Sequence, residues 1–269
     1  MCLVAGCFLT VPALAKRNPG AQPLWEIGAF AFGVSQQAYP GADEQVNRAL
    51  ALPYVVYRGK FFRADGETAG LRAVKAQRYE IDIGAGASFG TRSDEISVRR
   101  GMPNLGTLVE FGPRIKWNLG SELPASQWRL ELPLRGVFDL NDQGQYRGLA
   151  FEPRVVFQRR NQFGWSYSAR LGGIFADSEL ASSFYSVLPS QSLPDRAAYA
   201  AKGGLVSLRL SASFSKSLSP DWRLFGFARI DDVSQSANRD SPLIKRDIGA
   251  SAGFGLAYTW MRSDRSASD

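Results

Sequence analysis

The sequence predicts an all-β chain, a transmembrane antiparallel β-barrel of the outer-membrane type with about 12 strands. Three observations carry this. Apolar and polar residues alternate with period two through segments that mostly run past ten residues. Aromatic residues gather near the ends of those segments, and the joints between them are alternately short and long. A soluble strand averages about 5 to 6 residues, whereas a tilted strand crossing a bilayer needs about 9 to 11. The alternative is a soluble lipocalin-like barrel, in which the apolar faces would point inward instead of outward.

Composition removes several function classes. The 269 residues include no histidine, which excludes Ser-His-Asp and Cys-His catalysis and every histidine metal site. Both cysteines, Cys2 and Cys7, fall in the first seven residues, so no disulfide framework or thiolate site is expected in the processed chain. The net charge of +7 arises from arginines scattered along the chain without a cluster or a nucleic-acid motif, so nucleic acid is not an expected partner. No cofactor and no metal are expected.

Residues 1–15 read as a secretory signal peptide, apolar through Leu14 and ending in an A-x-A-like site at Ala15 before Lys16-Arg17. Its lack of a basic leading stretch gives the expectation of a natural start upstream of Met1. Val4-Ala5-Gly6-Cys7 also fits a lipobox, with a better cleavage site following it.

Residues 16–260 then form the barrel. The first strands are expected at 25–36 and 48–58, and Asp65-Gly66 is a hairpin signal that splits the next stretch into 60–64 and 68–74. In 77–89 the apolar face is Tyr79, Ile81, Ile83, Ala85 and the polar face Arg78, Glu80, Asp82, Gly84, Gly86. In 107–119, Val109, Phe111, Ile115 and Trp117 oppose Glu110, Arg114 and Lys116. In 127–140, Leu130, Leu132 and Leu134 oppose Arg129, Glu131, Arg135 and Asp139. Segments 148–159 (with Glu152 and Arg154 on the polar face), 163–176, 204–216, 221–231 and 247–260 complete twelve. Ten strands remain if the early segments pair differently. Residues 261–269 read as a polar tail.

The long joints are assigned to the extracellular side and the short ones to the periplasm. Pro53, Pro113, Pro133 and Pro153 fall inside proposed strands, where each missing N–H implies a bulge. Gly84, Gly86, Gly253 and Gly255 are read as small residues making room for crowded charged side chains. The polar faces, which also carry Arg170, Arg209, Arg229 and Asp231, hold too many long charges for a wide channel of twelve strands, so a luminal network of ion pairs is expected. Gly86-Ala87-Ser88-Phe89-Gly90 fits G-x-S-x-G, but without a following helix or any histidine Ser88 reads as a luminal serine.

Several strings resemble the MipA/OmpV family of Gram-negative outer-membrane proteins. They are Trp25-Glu26-Ile27-Gly28, Tyr39-Pro40-Gly41-Ala42-Asp43, Leu52-Pro53-Tyr54-Val55-Val56-Tyr57-Arg58-Gly59, Arg63-Ala64-Asp65, Arg100-Gly101-Met102-Pro103-Asn104-Leu105-Gly106, Glu110-Phe111-Gly112-Pro113 and Asp240-Ser241-Pro242-Leu243. The resemblance implies a non-enzymatic barrel in outer-membrane lipid and lipopolysaccharide. It also implies a scaffold linking a lytic transglycosylase (MltA) to a peptidoglycan synthase, or a role in osmotic or antibiotic response and adhesion. It supplies no catalytic residue. A narrow channel is the alternative function. Structurally, Pro40-Gly41 and Asp240-Ser241-Pro242 read as turns. Arg100-Gly101-Met102-Pro103 reads as the descending end of a loop, or as an ordered loop folded into the mouth.

Overall fold

The computed structural model describes residues 23–59, 62–65, 68–76, 78–88, 90–120, 123 and 125–267. The expected signal peptide, Gly66 of the Asp65-Gly66 turn and the last two residues of the tail lie outside them.

Long antiparallel strands close on themselves. They are β1 (Trp25–Gln37), β2 (Gln45–Arg58), β3 (Phe62–Asp65), β4 (Thr68–Lys75), β5 (Tyr79–Ser88), β6 (Leu108–Gly120), β7 (Ser126–Asp139), β8 (Gln145–Phe151), β9 (Arg154–Gln162), β10 (Trp165–Ala176), β11 (Gly204–Ser217), β12 (Trp222–Asp232) and β13 (Ile248–Arg262). Pairing of β13 with β1 and of β10 with β11 closes the sheet. β8 and β9 lie end to end between β7 and β10 and share one register, with Leu134 opposite Phe151 and Glu131 opposite Arg154. They act as one staggered strand, so the barrel wall has the expected twelve. Closure removes the sheet edges that lipid could not satisfy.

The orientation of the faces excludes the lipocalin-like alternative. Ile83, Phe111, Ile115, Leu134, Leu171, Leu210, Phe254 and Leu256 are exposed on the outside, while Asp82, Arg114, Glu131 and Asp231 are buried within. Aromatics form two belts at the ends of the strands. The periplasmic belt includes Tyr79 with Trp117, Trp128 with Phe157, and Trp222 with Tyr258. The opposite belt includes Phe111 with Phe138 and Phe151 with Phe175.

The prolines create no bulges. Pro53 stands opposite Ala29 and Pro113 opposite Ile83 in unbroken register, and the register around Pro133 and Pro153 is also continuous. A proline φ lies within the extended region, so only a donor is lost. The carbonyls of Pro133 and Pro153 still accept from the amides of Glu152 (3.1 Å) and Gly173 (3.2 Å). Register shifts fall near strand ends instead, at Ile27/Gly28, Asn118/Gly120, Val137/Phe138 and Ile174/Phe175. β13 also runs to Arg262, two residues into the expected tail, and Ser266 bridges to Pro23.

The two faces should respond oppositely to charge. Leu132→Arg, at the centre of β7 on the lipid side, should lower folding stability in lipid by about 2–4 kcal/mol. Gln127→Glu on the luminal side should cost less than about 1 kcal/mol. Urea titration of both variants in vesicles checks this, and equal penalties would contradict the orientation.

Candidate functional site

The luminal wall from β5 to β9 carries a ladder of alternating charge. Because strands alternate faces, every second residue of each strand enters the lumen, and the register sets the partners. Glu80 stands opposite Lys116, Lys116 opposite Glu131, and Glu131 opposite Arg154, so signs alternate across four strands. Asp82, opposite Arg114, takes its guanidinium in a bidentate grip with Nε to Oδ1 at 2.9 Å and Nη2 to Oδ2 at 2.7 Å. Lys116 Nζ reaches Asp82 Oδ2 at 2.7 Å and Glu80 Oε1 at 3.0 Å. Arg154 donates to Glu131 Oε2 from Nε (2.9 Å) and Nη2 (2.8 Å) and to Glu152 Oε2 from Nη1 (3.1 Å). Arg129 lies 3.4 Å from Glu131, and Arg135 pairs with Glu110 and lies 3.6 Å from Glu152. Across the lumen, Asp231 takes Arg209 at 2.6 Å.

Two of the expected network residues are elsewhere. Arg78 is exposed at the periplasmic end of β5, where its backbone carbonyl accepts from the Asn118 amide. Asp139 sits at the far end of β7, where it caps the turn at Leu140–Asp142 through the Asn141 amide and pairs with Arg147 at 2.9 Å. Ser88 ends β5 in extended chain opposite Leu108, and among the described residues no α-helix follows before β6. Gly84 and Gly86 do make room for charge, beside Arg114 and Glu110. Gly253 and Gly255 do not. A Cβ at either would strike the rings of Phe32, Phe227 or Phe225, so these glycines let aromatic side chains lie across β13.

That detail exposes a second luminal surface that the sequence reading passed over. In β1 and β2 the inward residues include Phe30, Phe32 and Val34, and Leu50, Leu52, Tyr54 and Val56, facing the lumen beside Phe225 and Phe227 of β12, with the buried Glu26–Arg58 pair (2.8 Å) at the periplasmic end of the same face. The available signal was that β1 is apolar on both faces over Ile27–Val34.

The family-resembling loops converge at the extracellular mouth on a hydrophobic core of their own. Tyr39, Ile96, Met102, Leu180, Tyr185, Val187 and Leu243 are buried together. A helix, α1 (Ser178–Tyr185), begins where Asp177 accepts from the Leu180 amide and inserts Tyr185 into this core. Within the long joint 177–203 expected as a loop, Asp177-Ser178-Glu179 is an N-cap signal for this helix. Tyr39 Oη donates to the Leu243 carbonyl (2.7 Å), Tyr185 Oη to the Pro40 carbonyl (2.9 Å), and Ser241 Oγ to the Tyr185 carbonyl (2.7 Å). Gly41, at φ +91°, turns its carbonyl to accept from the amides of Lys245 and Arg246. Arg99 reaches the Phe184 carbonyl at 2.8 Å and the Pro103 carbonyl at 3.5 Å. Arg196 takes the Val98 and Arg100 carbonyls at 2.7 and 3.0 Å. Gly101 turns at φ +80° and seats Met102 in the core. Asp43 and Asp240 are exposed on the rim, with Pro242 partly buried between Ser241 and Leu243. The Arg100-Gly101-Met102-Pro103 segment is thus an ordered loop folded into the mouth. Arg99, Arg196 and Tyr185 are the residues that sequence reasoning missed, because each acts on segments far away in the chain.

Among the described residues the lumen holds at least two cavities. One of about 410 Å³ opens at the periplasmic end, lined by Asn118, Ser126, Gln127, Gln158 and Arg160. The other, about 270 Å³, lies deeper. Among the described residues no group of three carboxylates is placed to hold a metal ion.

The ladder and the mouth generate separate expectations. Asp82→Ala strands Arg114 and Lys116 beside a lost carboxylate and should cost about 3–5 kcal/mol in urea unfolding. Asp94→Ala, which breaks the exposed Arg92 pair, should cost less than about 1 kcal/mol. Burial pushes the phenols of Tyr39 and Tyr185 well above the ordinary tyrosine range, so the folded mouth favours their neutral forms. That stabilisation is fully present below the ordinary value of about 10 and is lost as pH climbs through it toward the raised values. Protease cleavage in 177–203 should therefore be constant from pH 7 to 9 and rise above about pH 10.

The fold can be compared with solved barrels. An outer membrane channel from Pseudomonas putida F1 is 9% identical, with a TM-score of 0.48, 91% of this chain and 100% of that chain covered. OmpT of Vibrio cholerae is 8% identical, with a TM-score of 0.34 over 87% of this chain and 76% of that one. OprD from Pseudomonas aeruginosa is 6% identical, with a TM-score of 0.29 over 93% and 96%. No curated protein matches the chain. Residues 27–260 match the family described as MltA-interacting protein MipA. With that match spanning the barrel from β1 to Trp260, this chain belongs to the MipA family of the Gram-negative outer membrane.

Proposed function

We propose that this barrel is a closed, non-enzymatic scaffold of the outer membrane that docks peptidoglycan-remodelling enzymes, a lytic transglycosylase and a peptidoglycan synthase, at its periplasmic end. The observation that carries this reading is the sealed mouth. Loops from four of the joints pack Ile96, Tyr185 and Leu243, each fully buried, into one core above the lumen. A solute path would have to break that core, and each large side chain returned to water costs about 1.5–3 kcal/mol. The family's description, which names an interaction with MltA, supports the choice of partner. The absence of histidine supports a non-enzymatic role.

A narrow channel, opening in osmotic or antibiotic response, is the second reading, and the two internal cavities favour it. One preparation separates the two. Refolded barrel in a planar bilayer should show no steady conductance, and replacing residues 178–202 by a short Gly-Ser linker should produce openings. The same barrel in nanodiscs should bind a soluble MltA-type transglycosylase in interferometry. A large steady conductance together with no binding would overturn the scaffold reading in favour of the channel.

A further inference from the structure

The lumen has two unlike walls, and neither the ladder nor the scaffold reading uses their meeting point. Lipid requires apolar residues outside the barrel, but nothing about a bilayer requires them inside. Yet Phe30, Phe32, Phe225 and Phe227 face the lumen as a contiguous row. Phe32 stacks with Phe227 at 6.1 Å and with Phe225 at 5.7 Å, and Phe225 meets Phe30 edge-on at 6.2 Å. All four remain partly exposed to the luminal space, and Leu50, Leu52 and Tyr54 flank them with the same partial exposure. Gly253 and Gly255 keep this surface continuous across β13, since a side chain at either would strike the rings.

Phe227 is also part of the lining of the 270 Å³ cavity, and the rest of that lining is of opposite character. Arg154, Arg170, Arg209 and Arg229 surround it with a single lining carboxylate, Glu152. Asp231 stands beside them and takes Arg209. Arg229 Nη2 donates to Ser251 Oγ at 3.2 Å, while its buried Nε, 3.0 Å from Asp231 Oδ2, is aligned with no acceptor. The cavity lining is therefore net positive and borders a partly exposed apolar strip.

We propose that this junction is a binding site for a single-chain alkyl carboxylate. The carboxylate accepts from Arg229, Arg209 and Arg170, where charge-assisted bonds to guanidinium favour a planar anion. The chain lies over Phe227, Phe32, Phe225 and Phe30 toward the periplasm. From Arg229 to Phe225 is four residues of β12, about 13 Å at about 3.3 Å per residue, which suits a chain of about ten carbons. This site makes the sealed barrel a receptor for an amphipathic anion reaching it from the periplasmic side, independently of whether the barrel docks an enzyme.

The test uses the full barrel in nanodiscs, with empty nanodiscs as blank. In calorimetry, decanoate should bind saturably, decanol at least tenfold more weakly, and acetate and decyltrimethylammonium not at all. R229Q should weaken decanoate at least tenfold while leaving decanol unchanged, and F32S should weaken both. Because R229Q could fail to fold, a decanoate carrying a terminal diazirine is crosslinked to the unmodified barrel as a second measurement. Adducts on peptides bearing Phe30, Phe32 or Phe225 support the site. Equal binding of decanoate, decanol and the cation, or adducts confined to the lipid-facing Phe254 and Leu256, would overturn it.

Discussion

The structure depends on neutralising charge inside a narrow barrel. A twelve-stranded wall in lipid must send its polar side chains inward, and here those include five basic and five acidic residues from Glu80 to Arg154 that pair with one another. They tolerate burial only because the register alternates their signs from strand to strand. Asp82 is fully buried and has three donors from Arg114 and Lys116 around its carboxylate. Such a ladder fixes the register as firmly as the outward pattern does. A one-residue slip would send every charge into lipid, and a two-residue slip of β6 against β7 would place Lys116 opposite Arg129 or Arg114 opposite Arg135.

The opposite wall carries fewer such pairs, among them Glu26 with Arg58 and Asp231 with Arg209, and it is built differently. β1, β2, β12 and β13 fill their share of the lumen with aromatic rings laid across glycines. The result is a lumen with a densely charged side and a side whose middle is lined by aromatic rings. The mouth adds a third layer that depends on neither. Its core is made by loops whose carbonyls are satisfied by Arg99, Arg196, Tyr39 and Tyr185 instead of by strands. Closure at the mouth and bracing within the lumen are thus separate features with separate energetics.

The strands were legible in the sequence because lipid imposes a strict rule on every second residue. The pattern in 107–119 and 127–140 gave both the strands and the side each residue faces, joint lengths left two strands or none in 60–75, and Asp65-Gly66 selected the short β3–β4 hairpin. The pairing within the ladder was legible in kind but not in partner, since Asp82 finds Arg114 only through register. The mouth was illegible for a different reason. Tyr39, Ile96, Tyr185 and Leu243 come from four separate loops, and no periodicity marks a core assembled from loops. The prolines misled because a missing donor was equated with a distorted strand, whereas an extended proline keeps its register and its carbonyl. The apolar luminal wall was hidden because β1 is apolar on both faces, which period-two reading treats as a weak strand instead of as two surfaces.

The central claim is that cross-strand ion pairing braces the lumen, and a double-mutant cycle tests it most directly. Asp82→Ala, Arg114→Met and the double variant would be unfolded in urea from the same vesicles. The pairing described here predicts a coupling energy of about 2–3 kcal/mol. A coupling within about 0.5 kcal/mol of zero, with both single variants as stable as the parent, would contradict it.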